Sequence, residues 1–505
     1  MNSKSTQLKA GTLLTYLQLV ISTIISLIYT PVMLKLLGQT EYGLYNIAAT
    51  VVSYVNLLNM GFASSYVRFY SRSKAKNDVE DIKKTNGLFL IVFIIIGVLA
   101  LIAGLTIAAF AELIFSDGLS SGEYVIVKKI VVILSISTAY NLGTSLFSSI
   151  ITAHEEFVFL KTVNLIKTVM SPTLIWILLL NGYKSIMMAS VTSILIIISD
   201  TFYVVYALKK LQVKFSFRNL NKDALIEIST FSGFIALNSI VDQINWSVDK
   251  VILGRFWGAR YTAIYSVAAQ INNIYMQLST GVSNVFIPRI NRLVAEKKSD
   301  EEITDLFIKI GRLQTIVLLP VILGFIFLGK QFVMIWTPNG YEDAYYIALL
   351  LMGPATIPYI QNAGVSIQTA KNKHQFRAVL YTFMAVINLV ISVVLCRQFG
   401  GIGCAFGTAV SIIVANIVIM NIYYHKKLKI NIIRFWREEL SFSPSIITLV
   451  IIGLVIRTFV PINGYVAFIF CGLVFIIVYL ISLWLFSLNQ NEKNMIRSTI
   501  QKIRK

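Results

Sequence analysis

The residues able to do chemistry in this 505-residue chain lie inside apolar runs, not in polar loops. Asn238, Asp242, Asn245 and Asp249 fall at i, i+4, i+7 and i+11, which puts them on one face of a helix. Two carboxylates on such a stripe need a wet cavity or a partner group, because an ionisable side chain against lipid is costly. They read either as a coupling site for H+ or Na+ or as a hydrogen-bonded seam between helices. Lys161, Asn164, Lys167, Thr168 and Ser171 share a face of another run, with Lys167 near its middle. A cation facing a cavity suits an anionic group such as phosphate; the alternative is a salt bridge to Asp200 or Asp242. Gln270, Asn273, Gln277 and Asn284 form an amide ladder that suits sugar hydroxyls or helix–helix hydrogen bonds. Pro354 and Pro358, followed by Gln361, Asn362 and Gly364, mark a hinge, an unwound segment or an inert kink.

The elements that position these residues follow from composition. The chain is 56% hydrophobic and 13% charged, with a mean hydropathy of +0.74, which excludes a soluble enzyme with a membrane tail. Apolar runs fall at about 11–36, 42–68, 86–114, 124–152, 157–180, 184–208, 226–252, 261–288, 304–329, 343–370, 376–397, 401–424, 442–461 and 464–487. The expected fold is therefore an all-α polytopic membrane protein of about 14 transmembrane helices, with loops too short to fold separately. Most of the 44 basic residues fall in the N-terminal tail and the even-numbered loops, so the positive-inside rule places both termini in the cytoplasm. The start Met1–Lys9 lacks a cleavage site of small residues, so the first run reads as an uncleaved anchor.

A repeat divides the chain. Leu37-Gly38-Gln-Thr-Glu-Tyr42-Gly43-Leu-Tyr45 after the first run is echoed by Leu253-Gly254-Arg-Phe-Trp-Gly258-Ala-Arg-Tyr261 after the seventh. Each following run closes on a basic residue, Arg68 and Arg289 respectively. The expected organisation is a six-helix lobe over 1–210, a second over 211–424, and an appendage over 425–505. That appendage comprises a basic amphipathic linker at the interface, two extra helices and a basic cytoplasmic tail.

No catalytic motif is present. Gly324-Phe-Ile-Phe-Leu-Gly329-Lys330 imitates a phosphate loop, but Gln331 stands where Ser or Thr would bind magnesium. Gly401-Ile-Gly403 with Gly407 is small-residue helix packing. Cys396, Cys404 and Cys471 have no metal or disulfide spacing, and His154, His374 and His425 pair with no other His or Cys. The expectation is no metal, no cofactor and no nucleic-acid partner. Any transport draws on H+, Na+, the membrane potential or the substrate gradient.

Gly38-Gln-Thr-Glu-Tyr42-Gly43, Gly61-Phe-Ala-Ser-Ser-Tyr-Val-Arg68 and the string from Asn238 through Asp249-Lys250-Val-Ile-Leu-Gly254 carry a resemblance. Over residues 1 to about 424 the chain resembles Wzx-type oligosaccharide flippases, in the superfamily (MOP) that includes MATE drug exporters and lipid II flippases. The C-terminal pair is similar to that of the fourteen-helix members. The resemblance implies a transporter, not an enzyme, of the bacterial plasma (inner) membrane. It would move a polyprenyl-pyrophosphate-linked glycan from the cytoplasmic to the outer leaflet for surface polysaccharide synthesis, by alternating access of two lobes. Lys167, Arg68, Arg289, Asn164, Gln270, Asn273 and Gln277 are the expected substrate contacts. Asp242, Asp249, Asn238 and Asn245 are the expected ion-coupling residues, and Pro354 and Pro358 the hinge. Membrane lipids and other polysaccharide-assembly proteins are the further partners. The rivals are a MATE-like exporter of cationic drugs and a membrane glycan polymerase.

Overall fold

The computed structural model describes the chain except residues 1, 60, 116, 219–231, 233–242, 244–245, 374, 463 and 504–505. Every regular element among the described residues is helical. Helix α1 spans Asn2–Leu37, α2 Gln39–Val55, α3 Phe62–Ala75, α4 Val79–Ala109, α5 Ala111–Phe115, α6 Ser121–Ala153, α7 Phe157–Leu180 and α8 Ser185–Val205. A helix over 246–256, here α9, precedes α10 at Gly258–Asn284. Then come α11 at Ile287–Ala295, α12 at Asp300–Trp336, α13 at Asp343–Ile360, α14 at Ala363–Ala370 and α15 at Gln375–Ile412. The chain ends with α16 at Asn421–Lys426, α17 at Ile432–Glu439, α18 at Ser443–Phe459, α19 at Gly464–Ser482 and α20 at Gln490–Ile503.

Ten helical segments among the described residues are long and apolar enough to cross a membrane. One of them, Gln375–Lys426, joins the eleventh and twelfth expected runs across a kink at Gly400 (φ 56, ψ −133). The three runs outside this set differ in physical ways. The seventh falls mostly outside the described residues, the eighth is the polar helix α10, and the tenth is divided into α13 and α14. The second expected run is also interrupted, by a 3₁₀ turn at Asn56–Asn59 before α3 begins.

Helix starts obey local capping chemistry. Asp78 Oδ1 accepts from Asp81 N at 2.9 Å to open α4, and Ser299 Oγ accepts from Glu302 N at 3.2 Å to open α12. Glu123 reaches back to accept from Ser120 N at 2.8 Å at the start of α6. Glu41 works at longer range: its carboxylate accepts from the Ser185 hydroxyl and, at 3.4 Å, from Ser185 N, satisfying the first turn of α8.

The chain forms two compact units, residues 1–266 with 389–401, and residues 267–388 with 402–505. In the first unit, Tyr66, Phe89, Phe93, Leu146, Ile150 and Tyr203 form a core shared by α3, α4, α6 and α8. A second core joins Leu44, Ile47 and Val51 of α2 to Val127, Ile130 and Leu134 of α6. Both copies of the glycine turn are in this unit. Gly38 and Gly258 have φ of 83 and 78, a left-handed backbone that side chains with a Cβ adopt at a cost. A Cβ on Gly43 would sit 1.9 Å from the Ala259 carbonyl oxygen, so the start of α2 packs directly on the second turn. In the second unit, Leu319, Phe327 and Leu328 of α12 pack on Leu449 and Ile456 of α18 and on Phe475 and Tyr479 of α19. The outward faces remain apolar: Ile95, Val98 and Ile102 on α4 and Phe383, Val386 and Val390 on α15 are all exposed. Such faces suit lipid, where a helix satisfies its own backbone hydrogen bonds.

Candidate functional site

Within the first unit, polar groups from α1, α6, α7 and α8 converge. Lys167 stands near the middle of α7 and is half-buried, as are Lys161, Asn164, Thr168 and Ser171 on the same face. Thr168 donates to Asn164 O at 2.8 Å and receives Gln18 Nε2 of α1 at 3.5 Å. Stacking of Phe159 on Tyr206, with centroids 3.9 Å apart, fixes α7 against the end of α8. Asp200 of α8 is 5% exposed, and its Oδ2 accepts from Asn141 Nδ2 of α6 at 2.8 Å. Lys167 acts on this carboxyl electrostatically, yet among the described residues it closes no ion pair within 4.0 Å. Arg68 lies on the exposed side of α3, well along the same unit's chain.

The same unit holds Asp249 in α9, 2% exposed. Tyr265 of α10 donates its hydroxyl to Asp249 Oδ2, and the Tyr54 phenol lies within electrostatic reach. Gln243 donates to the Ser53 hydroxyl nearby. Asn238, Asp242 and Asn245, the other three members of the expected stripe, lie outside the described residues.

In the second unit α10 has two polar faces, and sequence reasoning saw one. Asn273 is exposed and Gln270 and Gln277 are half-buried, as an open stripe requires. The other face is buried and binds neighbouring helices. Tyr359 donates to Asn272 Oδ1 at 3.4 Å, Tyr275 and Thr356 hydroxyls meet at 3.0 Å, and Gln314 Nε2 donates to Ser279 Oγ at 2.8 Å. Arg289 is exposed on α11. Pro354 and Pro358 sit inside α13, and the helix breaks just beyond them at Gln361–Asn362 before α14 starts. Gln361 donates to Asn421 Oδ1 at 3.0 Å and Asn362 to Ser283 Oγ at 3.0 Å, so the break is braced by side chains.

A second charged cluster was missed entirely. Arg312 in α12, its side chain 3% exposed, donates from Nε to Glu492 Oε1 at 2.7 Å and from Nη2 to Glu492 Oε2 at 2.9 Å. It also donates to Glu438 O, Ser441 Oγ and Ser487 O, and its guanidinium lies 4.7 Å from the Phe442 ring centroid. Glu439 is buried beside it and accepts from the Thr315 hydroxyl at 2.7 Å. The signal was available: an acid pair, Glu438-Glu439, within an otherwise basic linker, and Glu492 in a basic tail.

The rejected phosphate-loop imitation, residues 324–330, is continuous helix within α12. The three cysteines are free and buried. His154 is held structurally, with Nε2 and the Tyr70 hydroxyl 3.0 Å apart and Nδ1 2.9 Å from Ile150 O. Among the described residues no cluster of His, Cys, Asp or Glu could hold a metal ion.

Long apolar helices carrying a half-buried cation and buried carboxylates define a polytopic membrane protein with polar groups inside its spanning segments. The family model for polysaccharide biosynthesis proteins matches residues 8–294, and the chain belongs to that family. It is thus a polytopic membrane protein of the polysaccharide biosynthesis family, and its fold is the one seen in a lipid II flippase and in MATE transporters. The protein named "Putative O-antigen transporter" of Shigella flexneri is 21% identical over 407 residues, covering 77% of this chain and 90% of its own length. The lipid II flippase MurJ in an inward closed conformation superposes with a TM-score of 0.72 at 17% identity, over 92% of this chain and 97% of its own. An inward-facing multidrug MATE transporter superposes with a TM-score of 0.59 at 14% identity, over 78% and 96% of the two chains.

Proposed function

We propose that this protein flips a polyprenyl-pyrophosphate-linked oligosaccharide from the cytoplasmic to the outer leaflet of a bacterial plasma membrane, by alternating access. The observation that carries this reading is Lys167, half-buried near the middle of α7 with no ion pair within 4.0 Å among the described residues. A cation at such a depth needs a wet cavity or a partner group, and an anion that arrives and leaves is one such partner. Lys167, with Arg68 and Arg289 at the cytoplasmic ends, attracts the pyrophosphate; Asn164 and the amides Gln270, Asn273 and Gln277 meet the sugars. Asp249, together with Asn238, Asp242 and Asn245, binds the driving H+ or Na+ or shapes the local field. The moving parts are a lobe over 1–210 and a lobe over 211–424, with Pro354 and Pro358 as the hinge and both termini cytoplasmic. The family of polysaccharide biosynthesis proteins and the O-antigen transporter named above support the glycan class of cargo.

The test is Lys167→Ala in proteoliposomes loaded with lipid-linked oligosaccharide. Flipping falls to background while the protein folds and inserts normally; full activity in that variant removes the pyrophosphate assignment. Asp249 keeps one rival in view, since a buried carboxylate also suits a cationic drug. Drug sensitivity on deletion, with lipid-linked glycan distribution unchanged, favours that exporter reading.

A further inference from the structure

The proposed function leaves Asp200 unused, and its setting is unusual. The carboxylate is 5% exposed in the body of α8, among the helices of the first unit. Burying a carboxylate demands hydrogen bonds and a counter-charge. Asn141 of α6 supplies one hydrogen bond at 2.8 Å. The groups in electrostatic reach are Lys167 of α7 and the phenol of Tyr203 on α8 itself. Lys167 lies 13 residues before the end of α7 and Asp200 lies 15 residues after the start of α8, so the packed helical hairpin sets them at a similar level, and the two have not closed into an ion pair within 4.0 Å.

That looseness has a chemical consequence. A contact ion pair would neutralise Lys167 and would have to break before any anion could use it. A carboxylate outside ion-pair contact, and held by Asn141 at 2.8 Å, orients the ammonium while leaving its protons available. The same carboxylate repels a phosphate that reaches the ammonium. The bound state is thereby weakened, and release is favoured.

We propose that Asp200 is a positioning residue for the phosphate contact: it is the standing counter-ion of Lys167 and competes with the bound pyrophosphate for that cation. The inference rests on the reading of Lys167 as the phosphate contact. Substitutions at Asp200 should therefore act only through Lys167. A neutral residue at 200 tightens anion binding and slows turnover, so KM and kcat fall together. A residue with a merely structural role lowers kcat or stability without tightening binding.

The experiment measures inorganic pyrophosphate binding to the purified full-length protein in lipid nanodiscs by calorimetry, for wild type, Asp200→Asn, Lys167→Ala and the double variant. Asp200→Asn binds at least about tenfold more tightly than wild type, the lower end expected when a close charge interaction is removed. The same change in the Lys167→Ala background has no effect. Asp200→Ser is the second neutral variant if Asp200→Asn fails to fold, and Asp200→Glu behaves as wild type. Unchanged or weaker binding in the neutral variants, with binding still lost in Lys167→Ala, overturns the counter-ion assignment and leaves Lys167 as the phosphate contact. Binding in Lys167→Ala equal to wild type, or none in any protein, overturns both.

Discussion

Glu492→Ala should destabilise the second unit more than any surface substitution of similar size. The carboxylate makes two charge-assisted hydrogen bonds to Arg312, at 2.7 and 2.9 Å, and both side chains are nearly sealed from solvent, at 3% and 10% exposure. Removing one partner of a buried pair leaves the other charge uncompensated, at about 3–5 kcal/mol. Two features pull the value toward about 3 kcal/mol: Glu438 stays 3.8 Å from Nη1, and Glu438 O, Ser441 Oγ and Ser487 O keep accepting from the guanidinium. For a unit of roughly 200 residues such a loss lowers Tm by about 6–12 °C. The assay is thermal unfolding in detergent followed by tryptophan fluorescence, reported by Trp484, against which Lys493 and Arg497 of α20 lie. Glu492→Gln, which keeps the shape but not the charge, falls between wild type and the alanine variant. Arg312→Met with Glu492→Leu recovers only part of the loss, because the Ser487 carbonyl is left without its donor. A Tm within a degree of wild type for Glu492→Ala would refute the reasoning.

Three further outcomes follow. Gly43→Ala destabilises by about 1–3 kcal/mol, because its Cβ meets the Ala259 carbonyl at 1.9 Å and the backbones must part. Gly38→Ala, whose Cβ meets nothing within 4 Å, costs a similar amount, about 1–3 kcal/mol, from the backbone alone, because φ 83 with ψ 161 is a region essentially reserved for glycine; thermal melts of the two variants check both. Lys167→Arg keeps the positive charge and retains measurable flipping where Lys167→Ala has none, as read in proteoliposomes. Asp249→Asn abolishes the dependence of transport on an imposed ion gradient while leaving pyrophosphate binding intact, as seen by flux and calorimetry on one preparation.

Much of the fold was legible because lipid imposes one strong rule: a spanning segment must be apolar and about 20 residues long. The junction expected between the eleventh and twelfth runs is realised at Gly400 as a kink rather than a loop. The interruption at Asn56–Asn59 was not legible, since Asn56-Leu-Leu-Asn59 reads as helix by hydropathy and yields only in three dimensions. At the candidate site, the polar face of α7 followed directly from helical spacing, and the structure adds Gln18 and Asn141 from other helices, which no local pattern links to Lys167 or Asp200. The amide ladder of α10 was half-read. Gln270, Asn273 and Gln277 lie on the more exposed face, apart from Asn272, Tyr275 and Ser279 on the buried face bonded to α13 or α12, and only packing separates the two. Arg312 escaped because its partners come from residues 438–441 and 487–492, and although the acids there stand out in basic segments, nothing local ties them to a residue so distant in sequence.

The most direct test of the central claim is the leaflet distribution of polyprenyl-pyrophosphate-linked oligosaccharide in cells depleted of this protein and complemented with wild type or Lys167→Ala. The account predicts accumulation on the cytoplasmic leaflet and loss of surface polysaccharide, reversed by wild type and not by the variant. An unchanged distribution on depletion would contradict it.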